Sequence, residues 1–228
     1  MPLTKITNGL WTTQSSLNFF GVPMSATTTL AELGDGGLLV VSPGAIDDAL
    51  RRQVDALGEV RAIAAPNQFH HMFIDGWRAA YPDASLHVPT SLRKKRPDLA
   101  EAAEHTAEAP SVYADAVGQL PMQGLPFLDE TWFLHRPSRT LIDTDLMHNT
   151  HEDPSWIARS GWKMMGAWKR FGPSRLERLL VKDRAALAEC VETALTWEFD
   201  RVIVAHGEVL EVPDARDRVR ASWSWLLR

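Results

Sequence analysis

The chain has 228 residues, 24 of them basic and 29 acidic, for a formal charge of −5. That length buries a full apolar core without covalent staples, and the acidic balance argues against general nucleic-acid binding. One cysteine, Cys190, excludes an intrachain disulfide, so any metal site must draw on the eight histidines and on carboxylates. No stretch approaches 18 apolar residues, and Met1 to Asn8 lack the basic-then-apolar pattern of a secretion signal, so a cytoplasmic setting is expected. No linker divides the chain, which reads as a single domain over residues 1–228.

In chain order, residues 28–41 (TTLAELGDGGLLVV) predict two short strands joined by a Gly-Asp-Gly-Gly turn. Ser42-Pro43 then opens a helix whose apolar face is Ala45, Ile46, Ala49, Leu50, Val54 and Leu57, with Gly58 as its stop. The run VRAIAA at 60–65, bounded by Pro66, predicts a buried strand. Residues 70–81 follow as a helix ending before Pro82, and 86–88 as another strand. Residues 139–146 (RTLIDTDL) give a strand ending in two aspartates. A helical region is expected from about 154 to 197, broken near Gly172-Pro173, then a buried strand RVIVA at 201–205 and a last helix at about 213–227. Strands alternating with helices mean an α/β fold. Nine tryptophans scattered from Trp11 to Trp225 read as core filler.

Three places set metal-capable side chains just after a buried strand, where α/β folds build their sites. They are Pro66-Asn67-Gln68-Phe69-His70-His71, Asp143-Thr144-Asp145 and His206-Gly207. Each is weak alone, and one shared sheet edge satisfies all three. Imidazole nitrogens and carboxylate oxygens suit zinc, manganese or iron.

This order of motifs resembles the metallo-β-lactamase-like superfamily. The segments LLVVSP (38–43), APNQFHHMF (65–73), FLHRPSRTLIDTDL (133–146) and FDRVIVAHG (199–207) are similar to an uncharacterised branch of it, known only as a domain of unknown function. The resemblance implies an αββα sandwich. The superfamily's first motif, His-x-His-x-Asp-His, aligns on residues 66–71 when His71 matches its last histidine. Pro66 and Gln68 then replace its first two histidines, and His70 stands in the aspartate position. The middle histidine has no match either, since residues 122–128 read MQGLPFL. The resemblance therefore implies one divalent metal rather than two, held by His70, His71, Asp145 and His206. Zinc is the first choice, with iron or manganese next, and Asp145 and His70 take the catalytic roles. An empty sheet edge would leave the same residues as a hydrogen-bonded polar cluster.

Other residues are weighed beside these. His148 and His151 would share a helical face with Asp145, or else be solvent-facing loop residues. His135 reads as structural, Asn67 as a helix cap or a substrate-orienting group, and Ser138 lacks a nucleophile context. Cys190 is expected to be buried. Residues 159–184 carry eight basic side chains against two acids, with Trp156, Trp162, Trp168 and Phe171 interleaved in or beside them. They read as a lid attracting an anionic substrate, or as an amphipathic helix with a basic solvated face.

The expectation is a metal-dependent hydrolase with a small-molecule substrate, anionic if the basic segment is a lid. The alternatives are a catalytically inactive member of the fold that keeps a binding role, or an iron-dependent redox protein. No membrane partner is expected, nucleic acid is disfavoured, and a homodimer would be hinted at by exposed Trp223 and Trp225.

Overall fold

The apolar runs become strands buried on both faces, and the alternation of their side chains sorts the interior into layers. The computed structural model describes residues 2–19, 22–151 and 155–227. The first sheet holds seven strands in chain order: β1 (Thr4–Thr7), β2 (Leu10–Phe19), β3 (Val22–Glu32), β4 (Gly37–Val41), β5 (Glu59–Ala64), β6 (Ser85–Val88) and β7 (Ala103–Glu104). Strands β1 to β4 pair antiparallel and β4 to β7 parallel, with α1 (Asp48–Asp55), α2 (Ile74–Ala80) and α3 (Thr90–Lys95) in the crossovers. The second sheet uses β8 (Val117–Pro121), β9 (Thr131–His135), β10 (Thr140–Ile142), β13 (Arg201–Ile203) and β14 (Leu210–Glu211), ordered β14-β13-β10-β9-β8. A small ribbon pairs β11 (His148–Asn149) with β12 (Phe171–Gly172). Helices α4 (Trp156–Met165), α5 (Arg175–Leu180), α6 (Arg184–Ala194) and α7 (Ala215–Ser222) complete the chain.

In β4, Leu38 and Val40 pack with Leu50, Val54, Ile74 and Trp77 of α1 and α2, while Leu39 and Val41 turn to the opposite sheet. In β9, Trp132 and Leu134 pack with Leu187, Val191, Val219 and Trp223 of α6 and α7, while Phe133 joins Leu39 and Val41 between the sheets. Strands covered on both faces must be continuously apolar, which is why VRAIAA and RVIVA show no polar alternation. The layers run helix, sheet, sheet, helix: the αββα sandwich that the resemblance implies.

Three local expectations shift. The helix after β4 begins at Asp48 rather than at Ser42-Pro43, because Asp47 Oδ1 caps it by accepting from Leu50 N at 2.7 Å. The intervening residues are pinned to the sheet instead, with Gly44 N donating to Thr28 Oγ1 (2.7 Å) and Ala45 N to Ser15 Oγ (3.0 Å). The region 154–197 is three helices, and its first break falls at Gly166, a left-handed cap with φ +72°. Position 154 itself lies outside the described residues. The hairpin of β2 and β3, with ten paired positions, is the longest pairing, yet its buried Thr and Ser residues hid it from hydropathy.

Trp77, Trp132 and Trp223 are fully buried, as core filler should be, but Trp156 is exposed. Trp225 stacks on Trp223 at 5.9 Å beneath the guanidinium groups of Arg178 and Arg184, so the exposed tryptophan pair that would have hinted at a dimer is not formed. Cys190 is buried on α6, where its Sγ accepts from Gln123 N at 3.3 Å.

Candidate metal centre

Strands β10 and β13 are parallel neighbours, so the loops that leave their C-terminal ends lie side by side. Backbone bonds hold them together: Ala205 N donates to Thr144 O (3.2 Å) and Thr27 N to Ala205 O (3.0 Å). The loop after β5 meets them from the first sheet. At that junction Asp145 Oδ1 lies 3.2 Å from His70 Nε2 and 3.0 Å from His206 Nε2. One ligand atom from each of these three residues falls within 4.8 Å of the others.

Both imidazoles are held from behind. His206 Nδ1 lies 2.7 Å from the carbonyl oxygen of Ser25, which can only accept, so Nδ1 carries the proton and donates. His206 Nε2 is thereby aimed at Asp145. His70 Nδ1 meets Ser42 Oγ at 2.7 Å. Ser42 stands at φ +58°, a left-handed conformation that non-glycine residues rarely adopt. The residue read as a helix opener is instead a strained support for a site histidine.

Asp145 is oriented in turn by Asn67, whose Nδ2 donates to Asp145 Oδ2 (2.8 Å), Glu130 Oε2 (3.0 Å) and Thr144 Oγ1 (3.1 Å). Its Oδ1 accepts from the backbone N–H groups of Phe69 (2.8 Å) and His70 (3.0 Å). Asn67 therefore closes a turn over 67–70 rather than capping α2, which starts at Ile74 with no side-chain cap. Glu130, not foreseen from sequence, accepts from Thr144 N and Asp145 N, each at 2.9 Å. Its only sequence signal is a carboxylate directly ahead of the wholly buried strand TWFLH.

The electrostatics follow from this packing. Burial works against ionising Asp145, yet the charge of His70 and the hydrogen bonds from both histidines hold its pKa well below the usual carboxylate range. Burial likewise opposes charging His70, and Asp145 outweighs it, raising the imidazole pKa. Glu130 is pushed up by burial and by Asp145; Asp143, by burial and by Glu130. Asp143 lies below the triad, accepting from Met147 N at 3.0 Å.

The remaining candidates separate cleanly. His71 does not join the cluster: the turn around Asn67 brings His70 to the centre and leaves His71 Nδ1 3.5 Å from Arg96 Nη1. Burial and the charges of Lys95 and Arg96 lower its pKa. No helix aligns His148 and His151 with Asp145, because residues 148–149 pair as a strand with 171–172. His148 is buried, its ring 6.2 Å from His206 and 5.4 Å from Trp162, with Nε2 facing Glu177 Oε1 at 3.5 Å. His151 is exposed and bonds Asn149 Oδ1 at 3.0 Å. His135 is structural, bonded to Ser138 Oγ (2.6 Å) and to Glu32 O (2.9 Å), which also occupies Ser138.

Gly207 explains the His-Gly pair. Its φ is +125°, and a Cβ there would stand 2.3 Å from Asn149 O. Gly207→Ala should therefore cost about 2–3 kcal/mol and displace His206. Chemical denaturation measures the first effect and His206 imidazole NMR shifts the second; an unchanged midpoint would refute the steric account.

No family model matches the sequence, and neither does any curated protein. Solved structures do match. A metallo-β-lactamase from Pontibacter korlensis superposes with a TM-score of 0.64 over 95% of each chain at 9% identity. FIM-1 from Pseudomonas aeruginosa in its mono-zinc form gives 0.64 over 100% of this chain and 96% of that one at 12% identity. The chain has the metallo-β-lactamase fold. The metal-soaked Flv1 flavodiiron core from Synechocystis sp. PCC6803 matches as well, with a TM-score of 0.68 at 10% identity over 99% of this chain and 60% of that one. Such identities speak for the fold alone, so the narrower resemblance to one branch rests on its sequence segments.

Within this metallo-β-lactamase fold the residues suit one cation. Ligand atoms about 2.1 Å from a shared ion, at tetrahedral or octahedral angles, stand about 3.0–3.4 Å apart. The 3.0 and 3.2 Å separations around Asp145 Oδ1 lie in that range. Where the resemblance implies a first metal position lined by histidines, the chain supplies hydrocarbon, backbone and the Gln68 amide. Pro66 O accepts from Thr131 N at 2.8 Å, Gln68 Nε2 donates to Phe127 O, and Met122, Leu125 and Leu128 belong to the core.

Proposed function

We propose that this protein is a metal-dependent hydrolase with one divalent metal held by His70, Asp145 and His206. Zinc is the first candidate, with iron or manganese next. The observation that carries the reading is the convergence of three ligand atoms from three separate loops, each histidine fixed through its far nitrogen. The Ser25 carbonyl selects the His206 tautomer that leaves Nε2 free to ligate, and Ser42 Oγ holds the His70 ring in place. A bound metal of this kind lowers the pKa of water to about 7 and so supplies hydroxide at neutral pH. The chain's own residues hold the arrangement: Asn67 turns Asp145 Oδ1 toward both imidazoles, and Glu130 fixes the loop that presents it. Asp145 and His70 keep the catalytic roles, and a small molecule is the substrate.

Elemental analysis of protein purified without chelator tests this. We expect about one metal per chain, a loss of more than about tenfold in Asp145→Ala and His206→Ala, and no loss in His71→Ala. Two metals per chain, or a full complement in His206→Ala, would overturn it. A panel of ester, lactone, thioester and phosphodiester substrates, assayed with and without chelator, then reports the reaction. The second reading, a binding protein without hydrolytic activity, is favoured by the apolar filling of the first position. Metal-free protein stabilised against heat by a small anion, with no chelator-sensitive turnover, would support it. Visible absorption of fresh protein would mark iron.

A further inference from the structure

The segment that reads as a basic, aromatic lid has a composition that the metal centre does not use. Among the described residues, nine arginines elsewhere lie in ion pairs: Arg51, Arg61, Arg78, Arg93, Arg96, Arg139, Arg201, Arg218 and Arg220. Lys163, Lys169, Arg170, Arg175 and Lys182 are exposed and have no acidic partner among those residues. The two acids of the stretch are already engaged, since Glu177 is buried in the α5 capping box and Asp183 Oδ1 caps α6. Among the described residues, no acid neutralises these five cations.

It is also apolar. Trp156 is 69% exposed, Met164 76% and Leu179 80%, with Ile157 and Leu176 also exposed. On α4 the exposed Trp156, Ser160, Lys163 and Met164 follow helical spacing, while Ala158 and Trp162 face inward. The Arg175 side chain lies against Gly166, which closes α4, so the exposed parts of α4 and α5 adjoin. Cations and large apolar side chains thus share one patch.

We propose that this face, α4 with α5 and the turn between them, docks the protein on an anionic lipid surface. A bilayer interface offers what both residue classes lack here: phosphate charge for Lys and Arg, and acyl boundary for Trp, Ile, Met and Leu. Nucleic acid would answer the cations but leave Ile157, Met164, Leu176 and Leu179 in water. A second copy would bring two like-charged faces together. Peripheral docking needs no spanning helix, and no helix among the described residues is long and apolar enough to cross a membrane. This proposal departs from the sequence-based expectation of no membrane partner. Trp162, on the inner face of α4, lies 6.0 Å from the His206 ring, so docking sets the candidate centre about one helix diameter, roughly 10 Å, behind the lipid surface.

Vesicle sedimentation tests the assignment, using phosphatidylcholine alone and a 70:30 mixture with phosphatidylglycerol. The parent should bind the anionic vesicles at low salt, ignore the neutral ones and be released by high salt. Each cation near the surface is worth about fivefold, so the combined Lys163→Ala, Lys169→Ala, Arg170→Ala variant should bind about a hundredfold more weakly. Met164→Ser with Leu179→Ser should weaken binding about tenfold. These side chains are exposed, and unchanged thermal midpoints will show that the variants fold. His206→Ala should bind like the parent, which separates this result from that on the metal centre. Four results would overturn the proposal: no binding to anionic vesicles at low salt, full binding by the apolar variant, tighter binding to duplex DNA or RNA than to vesicles, or a solution dimer that Leu179→Ser dissociates.

Discussion

Asn67→Asp will be more damaging than Asn67→Ala, although it replaces only an amide NH2 by an oxygen. Asn67 Nδ2 is the donor that separates two carboxylates, at 2.8 Å from Asp145 Oδ2 and 3.0 Å from Glu130 Oε2. Alanine removes that donor and leaves both buried acids without it, together with two backbone N–H groups that had bonded Oδ1. Losing a hub of this kind costs about 3–5 kcal/mol. Aspartate keeps an Oδ1 for the two N–H groups but loses the Nδ2 bonds and sets a third carboxylate within hydrogen-bond distance of the other two, where Coulomb repulsion in a dry site outweighs the bonds retained. The sign with pH separates the two variants. The new carboxyl has a raised pKa in the folded state, so the native form binds more protons than the unfolded chain. The penalty in Asn67→Asp is then largest at neutral pH and relaxes as pH falls, whereas that of Asn67→Ala lacks this component. Urea midpoints at pH 5 and pH 7.5 check this. A parent-like midpoint for Asn67→Asp at pH 7.5 would falsify the hub assignment. In Asn67→Ala that remains folded, metal affinity should fall about 10–100-fold, as expected when a ligand's orienting partner is lost.

What was legible in the sequence follows a physical line. Strands buried on both faces leave a plain signal, so VRAIAA, RTLI and RVIVA were placed within a residue or two, and so was the convergence of the loops after them. His70, Asp145 and His206 sit at those strand ends: periodicity places the segments, and the superfamily resemblance picks the residues within them. The supports were not legible. Glu130 reaches Asp145 N from a different strand, Ser25 acts through its backbone carbonyl, and Ser42 sits in a backbone conformation that no pattern of residue types announces. Adjacent residues in an aligned motif look equivalent, which is why His71 belongs to the ligand set that the resemblance implies. A turn closed on Asn67 Oδ1 makes them unequal, sending one ring to the centre and its neighbour toward Arg96. Tertiary competition also decided the helix start, where Thr28 and Ser15 hydroxyls claim the backbone of 44–45 before Asp47 can cap.

The contrast with the first metal position that the resemblance implies is therefore one of supports as well as residue types. At the candidate centre, His70, Asp145 and His206 each have a partner that fixes the side chain. At the other, the segments that would carry ligands bond one another: Gln68 N donates to Leu128 O at 3.2 Å and Thr131 N to Pro66 O at 2.8 Å. Histidines at 66 and 68 would leave those backbone bonds in place, lose the bond from Gln68 Nε2 to Phe127 O, and find no far-side partners for the new rings. A second metal should not follow from those substitutions alone.

Acid will destabilise this protein through a second histidine pair, one outside the candidate metal centre. His87 and His105 stack at 6.4 Å between the sheets, against Tyr113 and Phe133. His105 Nε2 lies 2.9 Å from Ala65 O and must donate to it, while its Nδ1 is buried without a partner. Protonating Nδ1 would set a charge in that apolar layer beside a second imidazole. Burial accordingly lowers the His105 pKa to about 4, and burial with the neighbouring His105 charge lowers His87 to about 4. In the unfolded chain both titrate near about 6.5. Between these values the unfolded state holds more protons, so stability rises with pH. The contribution is complete above about pH 6.5 and is lost as pH falls toward 4, and each group is worth at most about 3 kcal/mol. Burial and neighbouring charges shift the pKa of other buried groups as well, raising those of His70 and Glu130, so the informative quantity is a difference between proteins. His105→Gln keeps a donor within reach of Ala65 O and removes one of the two titrations. Its unfolding free energy should fall less steeply than the parent's between pH 7 and pH 4.5, by up to about 3 kcal/mol. Parallel curves for the two proteins would mean that this pair carries none of the acid sensitivity.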